Sequence, residues 1–322
     1  MLVTLPVYST ENGRKGKEKG KLHLWLTDNT HIVDIGPVSG DDDAASALLY
    51  KSTGSETNEK EDKLIALYEK KNVGENKPSP GMVSVVLTEE LKRVKEVLAT
   101  WKKVDERVSQ LCPSPIAAQE TSTANACGTV NITAGLVGFL SGNFSGNTWR
   151  DEYLGVNATV KGAATAAKET ENGVTFTGRG AGAEWPVGRQ GENQLYHFAN
   201  YNFTLVATVS IDGEPKEENP IPFIGVKMND GDKNTVLLGL LYNKEKQWQV
   251  WGGAGMTTTE HSSGWEPGTT HQVAIVLQSG TQGSVYVDGQ RVGEAECESG
   301  DQKDKKSPTF SLDGMEVMKR KK

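Results

Sequence analysis

The residues of this chain that could do chemistry are scattered, and their spacing removes most of what they could do. Five histidines occur, His23, His31, His197, His261 and His271, and none has the spacing of a pair of metal ligands, so no zinc site is expected. The acidic run Asp41–Asp43 is not followed by the spaced oxygen ligands of a Ca²⁺ loop and reads as a solvated loop. Gly178–Pro186 is glycine-rich, but Trp185-Pro186 stands where a phosphate cradle needs a helix N-terminus, so the segment reads as a tight strand connection. There is no Gly-x-Ser-x-Gly elbow, no HExxH and no P-loop. No cofactor is expected.

Of the three cysteines, Cys112 and Cys127 bracket a polar Pro/Ser/Thr-rich stretch, and Cys297 is the odd one. A Cys112–Cys127 disulfide and two unrelated free thiols are equally compatible with that spacing. Asn-x-Ser/Thr sequons fall at Asn131, Asn143, Asn157 and Asn202, candidate glycosylation sites that fit secretion. A net charge of −7 and a pI near 5.4 lack the basic face that nucleic acid demands. No apolar run reaches the length that crosses a membrane. The N-terminal MLVTLPVYST lacks the regions of a signal peptide, and the C-terminal MEVMKRKK lacks the apolar tail of a lipid-anchor signal.

The elements that must position these residues are mostly strands. In residues 1–87, short apolar runs alternate with Gly-, Asp- and Lys-rich turns: Leu2–Val7, Leu22–Thr27, Ile32–Ile35, Ala47–Tyr50, Leu64–Tyr68 and Met82–Leu87. Six strands of an antiparallel sheet are predicted. The period then changes. Leu91, Val94, Val97, Leu98, Trp101, Val104, Val108 and Leu111 recur at steps of three and four, which predicts an amphipathic helix over 88–112 with Thr88 as N-cap and Glu89 and Glu90 in its first turn. Residues 113–132 read as a linker. From 133 to 322 period-2 patterning returns in nine short runs, ending at an Asp288-Gly289 hairpin, which predicts a sandwich or jelly roll. Five tryptophans fall there; Trp185 and Trp251 are possible glycan contacts, although a tryptophan is more often core packing.

Longer strings are family-specific. LHLWLTDN (22–29), KLIALYEKK (63–71), VKEVLATWKKVDERVSQLC (94–112), GLVGFLSGNFSGNTWRDEYLGVNATV (135–160), VTFTGRGAGAEWPVGRQGENQLYHFANYNFTLVATVSID (174–212) and GSVYVDGQ (283–290) resemble the trypanosomal trans-sialidase/sialidase superfamily over nearly the whole chain. The resemblance implies a mainly β fold: the C-terminal part of a sialidase β-propeller, a linking α-helix and a concanavalin/laminin-G-like β-sandwich. It also places cysteines of the family around the linker, where Cys112 and Cys127 stand.

The family's site implies an arginine triad for the sialic acid carboxylate, a Tyr/Glu nucleophile pair and an Asp acid/base. A tyrosine nucleophile suits an anionic substrate that a carboxylate would repel. The stretches for two arginines, the Asp and the Glu have no counterpart here. Counted from Trp25–Asn29, the third arginine position reads Lys19 and the acceptor-site tryptophan position reads Lys17. Counted from Leu49-Tyr50-Lys51, the nucleophile position reads Ala45 or, the loop being shorter, Ala44. Lysine lacks the bidentate fork of arginine, and alanine has no nucleophile. Toward the C-terminus, SPTFSLDG stands where the family's closing strands are expected, so an open sheet edge is expected there.

Three readings follow. The first is a non-catalytic surface or secreted protein that binds host-cell glycans or extracellular-matrix proteins. The second is a sialidase or trans-sialidase, as the family implies. The third is a truncated product without a function of its own. The helix stripe and the sandwich aromatics favour packing surfaces that buttress a propeller over a sugar site.

Overall fold

The computed structural model describes residues 1–8, 20–52, 62–71, 80–111, 133, 135–163, 165–178, 180–186, 202–213, 215, 219–228, 236–252, 255–257, 264–278, 282–296 and 308–313. The chain divides into two units, Met1–Ile116 with Thr129–Val137, and Ala117–Gly128 with Gly138–Lys322.

The first unit is an antiparallel sheet and a helix. Strands β1 (Leu2–Tyr8), β2 (Gly20–Thr27), β3 (Ile32–Lys51), β4 (Lys63–Lys71) and β5 (Pro80–Val86) pair in sequence order. Six predicted runs thus make five strands. Asp41–Asp43 are not a loop: β3 passes through them because its first half pairs with β2 (Lys21↔Asp42) and its second with β4 (Asp43↔Lys70). Ladder pairing on either side overrides the loop propensity of aspartate. Period-2 burial of Leu22, Leu24 and Leu26 on β2 and of Leu64, Ala66 and Tyr68 on β4 makes one face the core.

Helix α1 spans Thr88–Leu111. The Leu87 amide still donates to the Leu64 carbonyl of β4 at 2.8 Å, while the Leu87 carbonyl accepts from Leu91 at 3.1 Å. Leu87 is therefore the N-cap position, and Thr88 is the first helical residue. The strand runs straight into the helix without a loop. Leu91, Val94, Val97, Trp101, Val104 and Val108 are buried, whereas Leu98 and Leu111, predicted on the same stripe, are exposed. The real stripe is narrower than the apolar count suggests.

Among the described residues the second unit holds three sheets. Its strands are β6 (Leu140–Ser145), β7 (Thr148–Asp151), β8 (Ala158–Lys161), β9 (Ala167–Thr170), β10 (Gly173–Phe176), β11 (Gly182–Pro186), β12 (Phe203–Ser210), β13 (Ile221–Met228), β14 (Val236–Tyr242), β15 (Trp248–Gly252), β16 (Gly255–Thr257), β17 (Thr270–Gln278), β18 (Gln282–Val287), β19 (Gln290–Glu296) and β20 (Pro308–Asp313). A nine-stranded sheet runs β16-β15-β14-β13-β20-β11-β8-β7-β6, a four-stranded sheet β12-β17-β18-β19, and β10 pairs with β9. Asp288 and Gly289, at φ 49° and 78°, make the tight β18–β19 turn that the Asp-Gly pair predicts.

Two expectations are corrected here. Gly178–Pro186 contributes a strand, β11, and not only a connection. The open edge expected near SPTFSLDG is filled, because β20 lies inside the sheet with Ala183↔Leu312 on one side and Val226↔Phe310 on the other. Its partners lie far back in sequence, so no local pattern marks it.

The inner face of the nine-stranded sheet meets the four-stranded one. A Cβ at Gly293 on β19 would fall 2.6 Å from Val250 Cγ2 on β15, so only glycine permits this approach. Phe223, Tyr242, Trp248 and Trp265 join there, Tyr242 edge to face with Phe223 and Trp265, Phe223 tilted against Trp248, and Trp248 against His271 at 5.5 Å and 82°. A second core gathers Trp149, Ala158, Phe176, Ala181 and Ala183.

Candidate functional site

Of the positions that the resemblance assigns to catalysis, Lys17 and Lys19 lie outside the described residues, as do Cys112, Cys127 and Asn131. The backbone of Ala44 and Ala45 is described. It forms a bulge on β3, where three steps from Asp43 to Ser46 face two from Lys70 to Tyr68. Bulges bend a strand and re-aim its side chains, and they are frequent beside active sites. Directly after Ala45, the Ser46 hydroxyl shares a 2.6 Å hydrogen bond with Thr4 Oγ1 on β1. That pair offers no base to take a proton from either oxygen.

Among the described residues, three histidines bond aspartates through Nδ1, which spacing along the chain does not reveal. His23 meets Asp34 at 2.8 Å across β2 and β3, His31 meets Asp28 at 3.0 Å across a turn, and His271 meets Asp288 at 2.8 Å. An Asp-oriented imidazole becomes a general base only with a nucleophile at its other nitrogen. His31 Nε2 instead bonds the Leu136 carbonyl at 2.8 Å, and its ring lies 5.1 Å from that of Trp101. His271 is buried against Trp248. His31 joins the β2–β3 turn, the helix and the returning chain, a structural role. Burial pushes the Asp28 carboxyl up, but hydrogen bonds from the His31 amide and ring and the Thr30 amide outweigh it and hold the carboxyl below its ordinary range. Among the described residues no cluster of three metal-ligating side chains occurs.

The sequon asparagines Asn143, Asn157 and Asn202 are all exposed. Asn157 Oδ1 accepts the Asp151 amide at 2.9 Å. The two tryptophans singled out from sequence have different places. Trp185 is half-buried, donates Nε1–H to the Val156 carbonyl at 2.6 Å and packs on the Trp149 core. Trp251 is 42% exposed.

Trp251 stands in a register row that the sequence does not display. Its partner is Gly239, Gly239 pairs with Gly225, and beyond β20 the row continues through Glu184, Thr159 and Thr148. Since Val250 points at the four-stranded sheet, Trp251 and its row occupy the opposite, outer face. Glu184 is ion-paired with Lys161 on this face. Gly239 beside the indole is buried, Gly225 is half-buried, and a Cβ at Gly225 would lie 3.2 Å from the Leu238 carbonyl. From Trp251 to Glu184 is four strand spacings, roughly 19 Å. An exposed indole stacks on the apolar C–H face of a sugar, and a carboxylate accepts its hydroxyls.

Residues 132–322 match the family described as "Trans-sialidase, C-terminal domain", and residues 1–69 match "BNR repeat-like domain". A sialidase of Trypanosoma cruzi is 34% identical over 278 residues, which are 84% of this chain and 21% of that protein. Sialidase 85-1.1 of the same organism is 33% identical over 279 residues, 85% of this chain and 32% of that one. Among solved structures, Trypanosoma rangeli sialidase superposes with a TM-score of 0.72 at 34% identity, covering 97% of this chain and 48% of that chain. The same enzyme in complex with sialic acid also gives 0.72 at 34% identity, covering 98% and 48%. The chain thus spans less than half the length of each of these relatives. With more than half of its residues matched by the C-terminal domain model and relatives a third identical over most of its length, the chain belongs to the trans-sialidase/sialidase family.

Proposed function

We propose that this chain is a non-catalytic, trans-sialidase-like surface protein that binds host glycan or matrix glycoprotein. In this reading the five-stranded sheet is the C-terminal part of a sialidase propeller, and the two facing sheets of the second unit are a concanavalin-type sandwich. The observation that carries it is Trp251, an exposed indole at the head of the Gly239–Gly225 row, on the face turned away from the second sheet. Hydrolysis of sialosides is disfavoured because the matched positions offer Lys19 in place of an arginine and Ala45 or Ala44 in place of a tyrosine.

A glycan and matrix-protein binding screen on the folded chain, beside a heat-denatured control, tests the reading. Saturable binding by folded protein, weakened at least about tenfold (roughly 1.4 kcal/mol) by Trp251→Ala, is the expected result. No saturable binding, or binding indifferent to Trp251→Ala, would refute it.

A further inference from the structure

Among the described residues the two facing sheets of the second unit end on four strands, and three of these carry a device against pairing with another chain. β16 is three residues long. Bulges break the ladders that hold β6 and β19, between Leu140 and Phe144 and between Val285 and Tyr286. β12 has neither device. It pairs with β17 through all eight of its residues, from Phe203↔Leu277 to Ser210↔Thr270, without a shift. Its sequence FTLVATVS holds no charge, glycine or proline. Thr204, Val206 and Thr208 are exposed on its outer side. A long, uncharged, β-branched end strand is a template for association with another chain.

The sequon Asn202-Phe203-Thr204 opens this strand. Phe203 is buried, whereas Asn202, whose amide would take the glycan, and Thr204, whose hydroxyl the sequon requires, are both exposed. We propose that Asn202 carries an N-linked glycan that guards the β12 edge. The donor is an oligosaccharide linked to a lipid pyrophosphate. Asn202 Nδ2 forms a bond to the anomeric carbon, the bond from that carbon to the pyrophosphate oxygen breaks, the lipid pyrophosphate leaves, and one amide hydrogen departs as a proton. A bulky, solvated branch at the start of the edge keeps a second strand away where no side-chain charge does so. The other described sequons fill no such gap. Asn143 lies on the bulged β6, and Asn157 precedes β8, which has a strand on either side. The inference does not involve Trp251, which belongs to the other sheet.

The test uses the full chain, secreted from a eukaryotic host behind a heterologous leader. Peptide mass spectrometry before and after enzymatic deglycosylation reads occupancy, and sedimentation velocity across a concentration series reads association. Asn202 is expected to be occupied. Asn202→Gln and Thr204→Ala remove the sequon from its two ends, and each is expected to lower the concentration at which the chain associates about tenfold. Thr204→Ser keeps the sequon and is expected to behave as the parent does. The thermal midpoint checks that each variant folds, and both substituted positions are at the surface. An unmodified Asn202 would overturn the proposal. An occupied Asn202 whose loss in both Asn202→Gln and Thr204→Ala leaves association unchanged would overturn the guarding role, as would association of Thr204→Ser with its glycan in place.

Discussion

Trp185 and Trp251 look alike in sequence and differ in every physical respect that matters to binding. Trp185→Ala removes a packed indole and a hydrogen bond to Val156, and for this half-buried side chain a loss at or below the roughly 3–5 kcal/mol of a buried Trp→Ala change is expected in a denaturation curve. Trp251→Ala is expected to leave the thermal midpoint within about 0.5 kcal/mol of equivalent stability while removing ligand binding. Alternation along β11 separates Glu184 from Trp185 by face, but the glycines before them hide the strand from a reader of sequence. The row from Trp251 to Glu184 crosses strands remote in the chain, so no local spacing displays it.

Asp28 supports a second prediction at this scale. Its carboxyl is held below its ordinary range in the folded state. Its contribution is therefore present above the unfolded-state value and is lost as pH falls through the folded one. Asp28→Asn is expected to flatten the acid limb of thermal stability below about pH 4. Its cost near neutrality is expected to be under about 1 kcal/mol, because the side chain is nearly half exposed to screening solvent. An acid limb identical to that of the parent would show that the carboxylate carries no linkage.

At the scale of elements, helix α1 was legible from periodicity alone, since steps of three and four select one face whatever lies opposite. What periodicity could not weigh was width: Leu98 and Leu111 fit the spacing and remain in solvent. Trp101→Ala, which opens the helix face against His31, is expected to cost about 3–5 kcal/mol. Leu98→Ala, at an exposed helical position, is expected to cost under about 0.5 kcal/mol. Comparable losses from the two would contradict the burial pattern. The β20 strand is the opposite case. Its place between β11 and β13 depends on partners eighty or more residues back. A chain ending before Pro308 is expected to lose the cooperative melting of the second unit, because two interior strands would then present unpaired edges. An unchanged transition would show that β20 is dispensable.

At the scale of the whole molecule, the family was readable because long strings, and not single motifs, carry it. The candidate catalytic positions were reached only by counting back from Trp25–Asn29 and Leu49-Tyr50-Lys51. Ala45 lies in a β3 bulge whose pairing partners are visible only in the fold. The first sheet offers a paired scaffold but, at the matched positions, neither an arginine nor a hydroxyl. The second unit offers an outer face with an exposed indole. Both support the proposal that the protein holds sugar without cleaving it. The most direct measurement is release of a fluorogenic aglycone from an α-sialoside by the folded chain, run beside a trypanosomal sialidase. No release above the blank is predicted. Turnover that an active-site sialidase inhibitor abolishes would contradict the account.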